Sequence, residues 1–236
     1  MTSENFSFII KLTYEEINIM KKELIFLGPP ACGKGTQTNM LSEYLHFPHI
    51  DTGSLLRAEI AKESEDGKIA KSFIDKGQLV PPELVGSIIE KRLKENDCEK
   101  GYVLDGYPRS LAQAEMLEKI NNNIDKEEAS FKAIYFDIDT QILIERIIYR
   151  QSCPKCGEIY NKKFKPSKVE NVCDKCHVEL VSRADDTEEV AKARFDTYYR
   201  ETAPLIDFYS KKGVLYKIDA NGSIKEVWER LLSVIE

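Results

Sequence analysis

No apolar run in this 236-residue chain approaches the about 20 residues that a membrane span requires. The excess of positive charge expected of a general nucleic-acid or membrane-surface binder is missing too, since the net charge is −6 at pH 7. There is no internal repeat and no low-complexity tract. Arginine is scarce, nine residues against 25 lysines, at positions 57, 92, 109, 146, 150, 183, 194, 200 and 230. A chain that uses lysine for solubility can keep arginine for places where a planar, forked donor must hold phosphate, although some arginines simply form surface ion pairs. Residues 1–22 contain Glu4, Glu15 and Glu16 and no arginine, which does not suit an arginine-rich mitochondrial presequence. Their apolar residues are dispersed, which does not suit a secretory signal. Met20-Lys21-Lys22 reads as an alternative start, leaving 1–22 as an extension without an assigned role.

What is present starts with a loop. Residues 28–37 read Gly28-Pro29-Pro30-Ala31-Cys32-Gly33-Lys34-Gly35-Thr36-Gln37, directly after the apolar run Leu24-Ile25-Phe26-Leu27 and before a helical pattern. Strand, glycine-rich loop and helix in that order form a phosphate cradle, because the loop N–H groups converge on phosphate oxygens. Lys34 adds a mobile charge for the outer phosphates. The residue after the lysine is Gly35, so the hydroxyl that such loops place near magnesium arrives one position late, on Thr36. Ala31 stands where a glycine is expected; if its φ must be positive, alanine there costs about 1 kcal/mol or more.

An apolar content of 42% and a charged content of 31% suit a globular chain long enough to bury a substantial core. Apolar β-rich runs alternate with helical patterns, which predicts a parallel sheet with helices on both faces. The expected strands are 24–28, 48–51, 101–105, 132–138 and 214–219. The expected helices are 34–46, 53–63, 66–77, 81–95, 110–120, 139–150, 187–211 and 223–235. Two excursions interrupt the alternation: an all-helical one at 52–81, and a lysine-rich one at 151–182.

The second excursion carries Cys153-x-x-Cys156 and, sixteen residues later, Cys173-x-x-Cys176. Two such pairs close a tetrahedral Zn²⁺ site, and four thiolates leave no open position, so the role is structural. An insertion this small draws folding free energy from a metal; a pair of disulfides is the alternative reading. Asp51-Thr52-Gly53-Ser54-Leu55-Leu56-Arg57 follows the second strand, with Thr52 as the expected helix cap. Asp105-Gly106-Tyr107-Pro108-Arg109 ends the third strand, where α/β sheets bind ligands. Arg146 and Arg150 are expected to share a helix face by their i, i+4 spacing, a repulsive arrangement that favours an anionic partner. Arg183-Ala184-Asp185-Asp186 closes the insertion, and Arg194 lies on the helix after it.

Together, the sequences at 28–37, 52–57, 105–109 and 183–186 closely resemble those of the adenylate kinase family, in its long form with a zinc-bearing lid. The resemblance runs from about Lys22 to the C-terminus. It implies a P-loop nucleoside monophosphate kinase: a five-stranded parallel sheet flanked by helices, an NMP-binding flap at 52–81 and a lid at 151–187. The core would then be 23–51, 82–150 and 188–236. The implied reaction is reversible phosphoryl transfer, MgATP plus AMP giving two ADP. By position, Ala31, Cys32, Gly33, Lys34, Gly35 and Thr36 would bind ATP phosphates, with Lys34 on the transferring group. Thr52 and Gln113 would read the AMP adenine, and Gln78, Leu79 and Val80 would line its pocket. The Asp105-Gly106-Tyr107-Pro108-Arg109 turn would serve the AMP side, with Arg57 and Arg109 on its phosphate and Asp105 orienting magnesium waters. Arg146, Arg150, Arg183 and Arg194 would surround the transferring phosphoryl. Ile159, Tyr160 and the backbone at Gly222 would contact the ATP base or ribose. Zn²⁺ would sit on Cys153, Cys156, Cys173 and Cys176. Where the family usually has a second arginine after Arg150, this chain has Gln151, which implies a slightly weaker lid charge.

A GTP-using AMP kinase shares nearly every motif, whereas uridylate and cytidylate kinases usually lack the threonine at Thr52. A zinc-ribbon nucleic-acid-binding protein is disfavoured by the acidic net charge. The expected partners are small-molecule nucleotides, with no nucleic acid and no membrane, for a cytoplasmic monomer.

Overall fold

The computed structural model describes residues 20–124, 129–139 and 143–235. Residues 1–19 of the expected extension and 140–142 of an expected helix lie outside them.

Five strands form one parallel sheet: β1 (Lys22–Leu27), β2 (His49–Asp51), β3 (Gly101–Asp105), β4 (Ser130–Asp137) and β7 (Leu215–Asp219), in spatial order β2-β3-β1-β4-β7. The central strand is the apolar run before the loop. Side chains alternate along a strand, so Leu24 and Phe26 enter one core with Leu41, Val103, Ile134 and Leu231. Ile25 and Leu27 enter the other core with Ile50, Ile89, Leu104 and Leu117. None of the four is more than 2% exposed. A strand buried on both faces reads as a continuous apolar run, which is why the sequence shows no alternation there.

Helices cover both faces: α1 (Lys34–Leu45), α2 (Thr52–Ala61), α3 (Glu65–Ile74), α4 (Pro82–Leu93), α5 (Leu111–Ile124), α6 (Leu143–Ile148), α7 (Glu188–Thr197), α8 (Pro204–Lys211) and α9 (Ile224–Ile235). Pro82 opens α4, where its missing N–H would have no intrahelical partner. In α9, Val227, Leu231 and Ile235 recur every four residues and bury one stripe. Each such buried side chain is worth roughly 1.5–3 kcal/mol. β5 (Arg150–Ser152) and β6 (Ile159–Asn161) make a separate antiparallel hairpin with Arg150 opposite Asn161. It carries its own small core of Cys153, Tyr160, Cys173 and Leu180.

Three expectations need correction. The run 187–211 is not one helix. Residues Tyr198–Thr202 are π-wound, with Ala203 N–H donating to Tyr198 O, before α8 starts at Pro204. Pro204 has no N–H for the carbonyl four residues back, and its ring would strike it, so the turn widens. The helix expected to reach Arg150 stops at Ile148, and Arg150 begins β5. The Asn161 side-chain amide takes the Arg146 carbonyl at 3.0 Å, the acceptor a continuing helix would need for Arg150 N–H. Arg146 and Arg150 therefore share no helix face. Finally, α2 is capped by Asp51, whose carboxylate accepts from Gly53 and Ser54 N–H at 3.0 Å each, and Thr52 is the first helical residue.

Candidate active site

One cleft of ≈ 1320 Å³ opens along the carboxyl ends of the sheet strands. The loop after β1 enters it with Gly33 at φ 100, and α1 starts one residue later. Gly35 faces the hairpin: a Cβ there would sit 3.2 Å from Ile159 Cδ1 and 3.5 Å from Asp105 Oδ2. Even a methyl group at this position would have to displace the tip of Ile159 by a few tenths of an ångström. Ala31 does stand in the left-handed region, at φ 60. Lys34 reaches back across the loop mouth, its Nζ donating to Gly28 O at 2.8 Å and Pro29 O at 3.1 Å and lying 3.3 Å from Cys32 Sγ. A bound phosphate would take over donors that loop carbonyls now hold. Thr36 also lines the cleft.

On the opposite wall, the Asp51 carboxylate caps α2 and pairs with Arg57 at 3.2 Å. Burial pushes its carboxyl up, but the Ser54 hydroxyl, Arg57, Arg183 and His49 outweigh burial and hold it below the usual value. Thr52 is buried and donates to Asp105 O at 3.2 Å. Asp105 is 9% exposed, with Thr38 Oγ1 at 3.5 Å and His49 Nε2 at 3.7 Å from Oδ2, so its position is fixed from below. Gln113 accepts Arg109 N–H at 2.7 Å, and Arg109 Nε donates to Gly106 O at 2.7 Å. Water in the cleft reaches Arg109, yet protein surrounds it deeply. That burial lowers its pKa, while Asp51 and Asp105 oppose the shift. Gln78, Leu79, Val80, Gly106 and Pro108 line the same end. Tyr107 does not: its ring is fully buried in the sheet core, because an apolar ring gains more there than in a wet cleft.

The third wall carries the remaining arginines. Arg150 forks onto Asp186 at 2.8 and 2.5 Å, and Arg194 reaches Asp186 at 3.1 Å and also pairs with Asp185. Arg183 is lowered to about 10 by burial and by the nearby Arg150 and Arg57 charges. Among the described residues, Arg109, Arg146 and Arg183 form no ion pair, and all three line the cleft. By contrast, Arg92, Arg200 and Arg230 pair with Asp97, Glu201 and Asp219. Cations drawn from three segments and left without protein counter-ions, beside a phosphate cradle, make a site for a multiply charged anion.

Ile159 and Gly222 line the cleft as expected. Tyr160 lines it too, with its hydroxyl turned inward to accept Asp174 N–H at 2.9 Å. Gln151 also points inward, its amide on Asn171 Oδ1 at 2.9 Å. It alternates away from Arg150 and lies off the cleft wall, so the missing positive charge is not subtracted from the cleft. Two contributors escaped the sequence reading. Phe164 lines the cleft with the Arg146 guanidinium 5.8 Å from its ring centre, a flat apolar wall beside a cation. Its signal was an aromatic residue amid lysines. Asp51 was hidden by the better-known capping habit of threonine.

The four cysteines of the insertion bring their sulfurs within 4.8 Å of one another, with Cys156 and Cys173 Sγ 3.8 Å apart. Four Zn–S bonds of about 2.3 Å in a tetrahedron span an edge of about 3.8 Å. Backbone N–H groups of Cys156 and Cys176 turn toward Cys153 and Cys173 Sγ at 3.5 and 3.4 Å, as donors that stabilise thiolates. The donor set thus fits one zinc ion.

Comparison with known proteins follows the same line. The adenylate kinase family profile matches residues 26–214. An adenylate kinase of Archaeoglobus fulgidus is 45% identical over 214 residues, 90% of this chain and 97% of its own length. Those of Thermotoga petrophila (42%, 92% of this chain and 98% of its own) and Caldanaerobacter subterraneus subsp. tengcongensis (46%, 87% and 92%) are similar to the same extent.

Proposed function

Since the chain belongs to the adenylate kinase family, which interconverts ATP plus AMP and two ADP, we propose how its own residues divide that work. The phosphate loop, Ala31–Thr36, holds the ATP phosphates, and Lys34 follows the transferring group. Arg57 and Arg109 hold the AMP phosphate, while Thr52, Gln113 and the 78–80 segment take its base. Arg146, Arg150, Arg183 and Arg194 gather around the phosphoryl in flight. The ATP base or ribose lies toward Ile159, Tyr160, Phe164 and the Gly222 backbone. Magnesium, arriving with the nucleotide, neutralises phosphate charge, and Asp105 orients its waters. Zinc on the four cysteines holds the insertion folded.

The acceptor is a phosphate oxygen already ionised near neutral pH, so no general base is required. Catalysis then rests on alignment and on stabilising charge spread over the phosphoryl oxygens. Segments 52–81 and 151–187 act as flap and lid that close over both nucleotides and keep water from the phosphoryl group. The protein works as a cytoplasmic monomer, in keeping with cysteines arranged for a metal; among the described residues no helix is long and apolar enough to cross a membrane.

The observation that carries this reading is the set of unpaired arginines facing the phosphate loop across one cleft. Pairing each nucleoside triphosphate with each monophosphate should give the highest rate for ATP with AMP. Activity with UMP and none with AMP would overturn the acceptor assignment. Arg109→Ala should lower kcat/KM for AMP by about 10²-fold or more, with the fold unchanged by circular dichroism.

A further inference from the structure

We infer that Thr202 is a positioning residue for Arg109, brought into place by the π-wound turn that carries it. The inference rests on the reading that Arg109 holds the acceptor phosphate.

Arg109 is gripped on three sides. Gln113 holds its N–H, and Gly106 O receives its Nε. Both partners are local, within four residues of it. The third grip comes from 93 residues away: Thr202 Oγ1 donates to Arg109 O at 2.7 Å. Thr202 is 8% exposed and lines the cleft, so water cannot easily replace its hydroxyl.

A threonine inside a helix ordinarily returns its hydroxyl to the carbonyl four residues back. For Thr202 that carbonyl would be Tyr198 O, which in the π turn takes Ala203 N–H and still has a second lone pair to offer. The hydroxyl instead leaves the helix and meets the loop that bears Arg109. The π turn is the segment that carries this outward-bonded side chain, and π segments recur at functional sites. The last residue of α7, directly before the π turn, makes a second outward bond, Thr197 Oγ1 to Gly77 O at 3.2 Å. Two hydroxyls on one rod therefore fix both the end of the helical excursion and the backbone of the phosphate-binding arginine.

The chemistry requires this of Arg109 in particular. Its guanidinium has no counter-ion among the described residues, so no ion pair holds it in place before substrate arrives. Its aim depends on its backbone, and a misplacement of about 1 Å can cost 10²-fold in rate. Freeing its carbonyl from Thr202 removes a part-buried hydrogen bond and leaves the loop able to shift.

The test is a set of variants in the full-length protein, assayed with MgATP and AMP. Thr202→Val, close in shape but without the donor, should lower kcat/KM for AMP about tenfold and leave KM for MgATP within about twofold. Thr202→Ser should restore most of the loss. In an Arg109→Ala background, Thr202→Val should cost less than about twofold more, because its effect runs through Arg109. If the valine variant does not fold, Thr202→Ala gives the same reading. Unchanged AMP kinetics in Thr202→Val, equal loss toward both nucleotides, or losses that multiply with Arg109→Ala would each overturn the inference. Full activity in Arg109→Ala alone would instead sink the role of Arg109 itself.

Discussion

Ala31 shows how a single residue can store strain at a working site. At φ 60 it holds a conformation that costs an L-residue about 1–2 kcal/mol. Glycine would relieve that but gain freedom in the unfolded chain, worth about 0.4–1 kcal/mol. Ala31→Gly should therefore raise stability by up to about 1 kcal/mol, read as a melting temperature about 2–4 °C higher. Asp51 makes the opposite contribution. Its carboxyl is held below its ordinary value, so it adds stability above that value, and the gain disappears as pH falls through the folded-state pKa. Asp51→Asn keeps one acceptor oxygen for the cap and removes the charge together with the second acceptor. It should be less stable than the parent at pH 7, by roughly 1 kcal/mol at most. The gap should close below about pH 4, as thermal melts at stepped pH would show. At this scale the sequence was readable where side-chain chemistry is unique, as at Lys34, Arg109 and the cysteines. It misled where two residues compete for one task. Thr52 and Asp51 can both cap, and the carboxylate wins because it accepts two N–H groups and an arginine at once.

Elements were legible when one feature decided them. The apolar run of β1 and the proline at the start of α4 did so. The run 187–211 was not, because its amphipathic pattern passes through Pro204 without a break, and only backbone donors reveal the π turn. The end of α6 was hidden similarly: Asn161, distant in sequence, supplies the cap. The cysteine insertion has a core of four buried residues, too few to hold a domain by burial alone. Elemental analysis should find about one zinc per chain. Stripping it with a chelator under reducing conditions should melt the 151–187 segment first, seen as faster amide exchange there while the sheet stays protected. Equal heat stability of stripped and native protein would refute a structural metal.

For the whole molecule, alternation of strand and helix patterns gave the fold class, but not the strand order. Which strands are neighbours depends on crossovers that leave no local mark, and the order is seen only in the structure. The long-range ties across the cleft, such as Thr202 to Arg109, were equally invisible, since nothing in a sequence pairs a hydroxyl with a carbonyl 93 residues away. Flap and lid, if they close together, should bring their outer surfaces nearer. Fluorophores placed by cysteine substitution at the exposed Ile69 and Val169 should show higher transfer efficiency with both nucleotides than with either alone. An unchanged signal would argue against closure.

Asp186 has a consequence at this largest scale. Its buried carboxylate occupies the fork of Arg150 and one donor of Arg194, whose other donor goes to Asp185. The protein thus carries an internal stand-in for phosphate, tethered and at fixed concentration. On the proposed division of roles, a free anion would have to compete with it for these donors, so a lone phosphate would gain little there, whereas a polyphosphate anchored by the loop would arrive with an advantage of proximity. Selectivity for the whole nucleotide over its fragments would in this way be set partly by a residue that need never touch either.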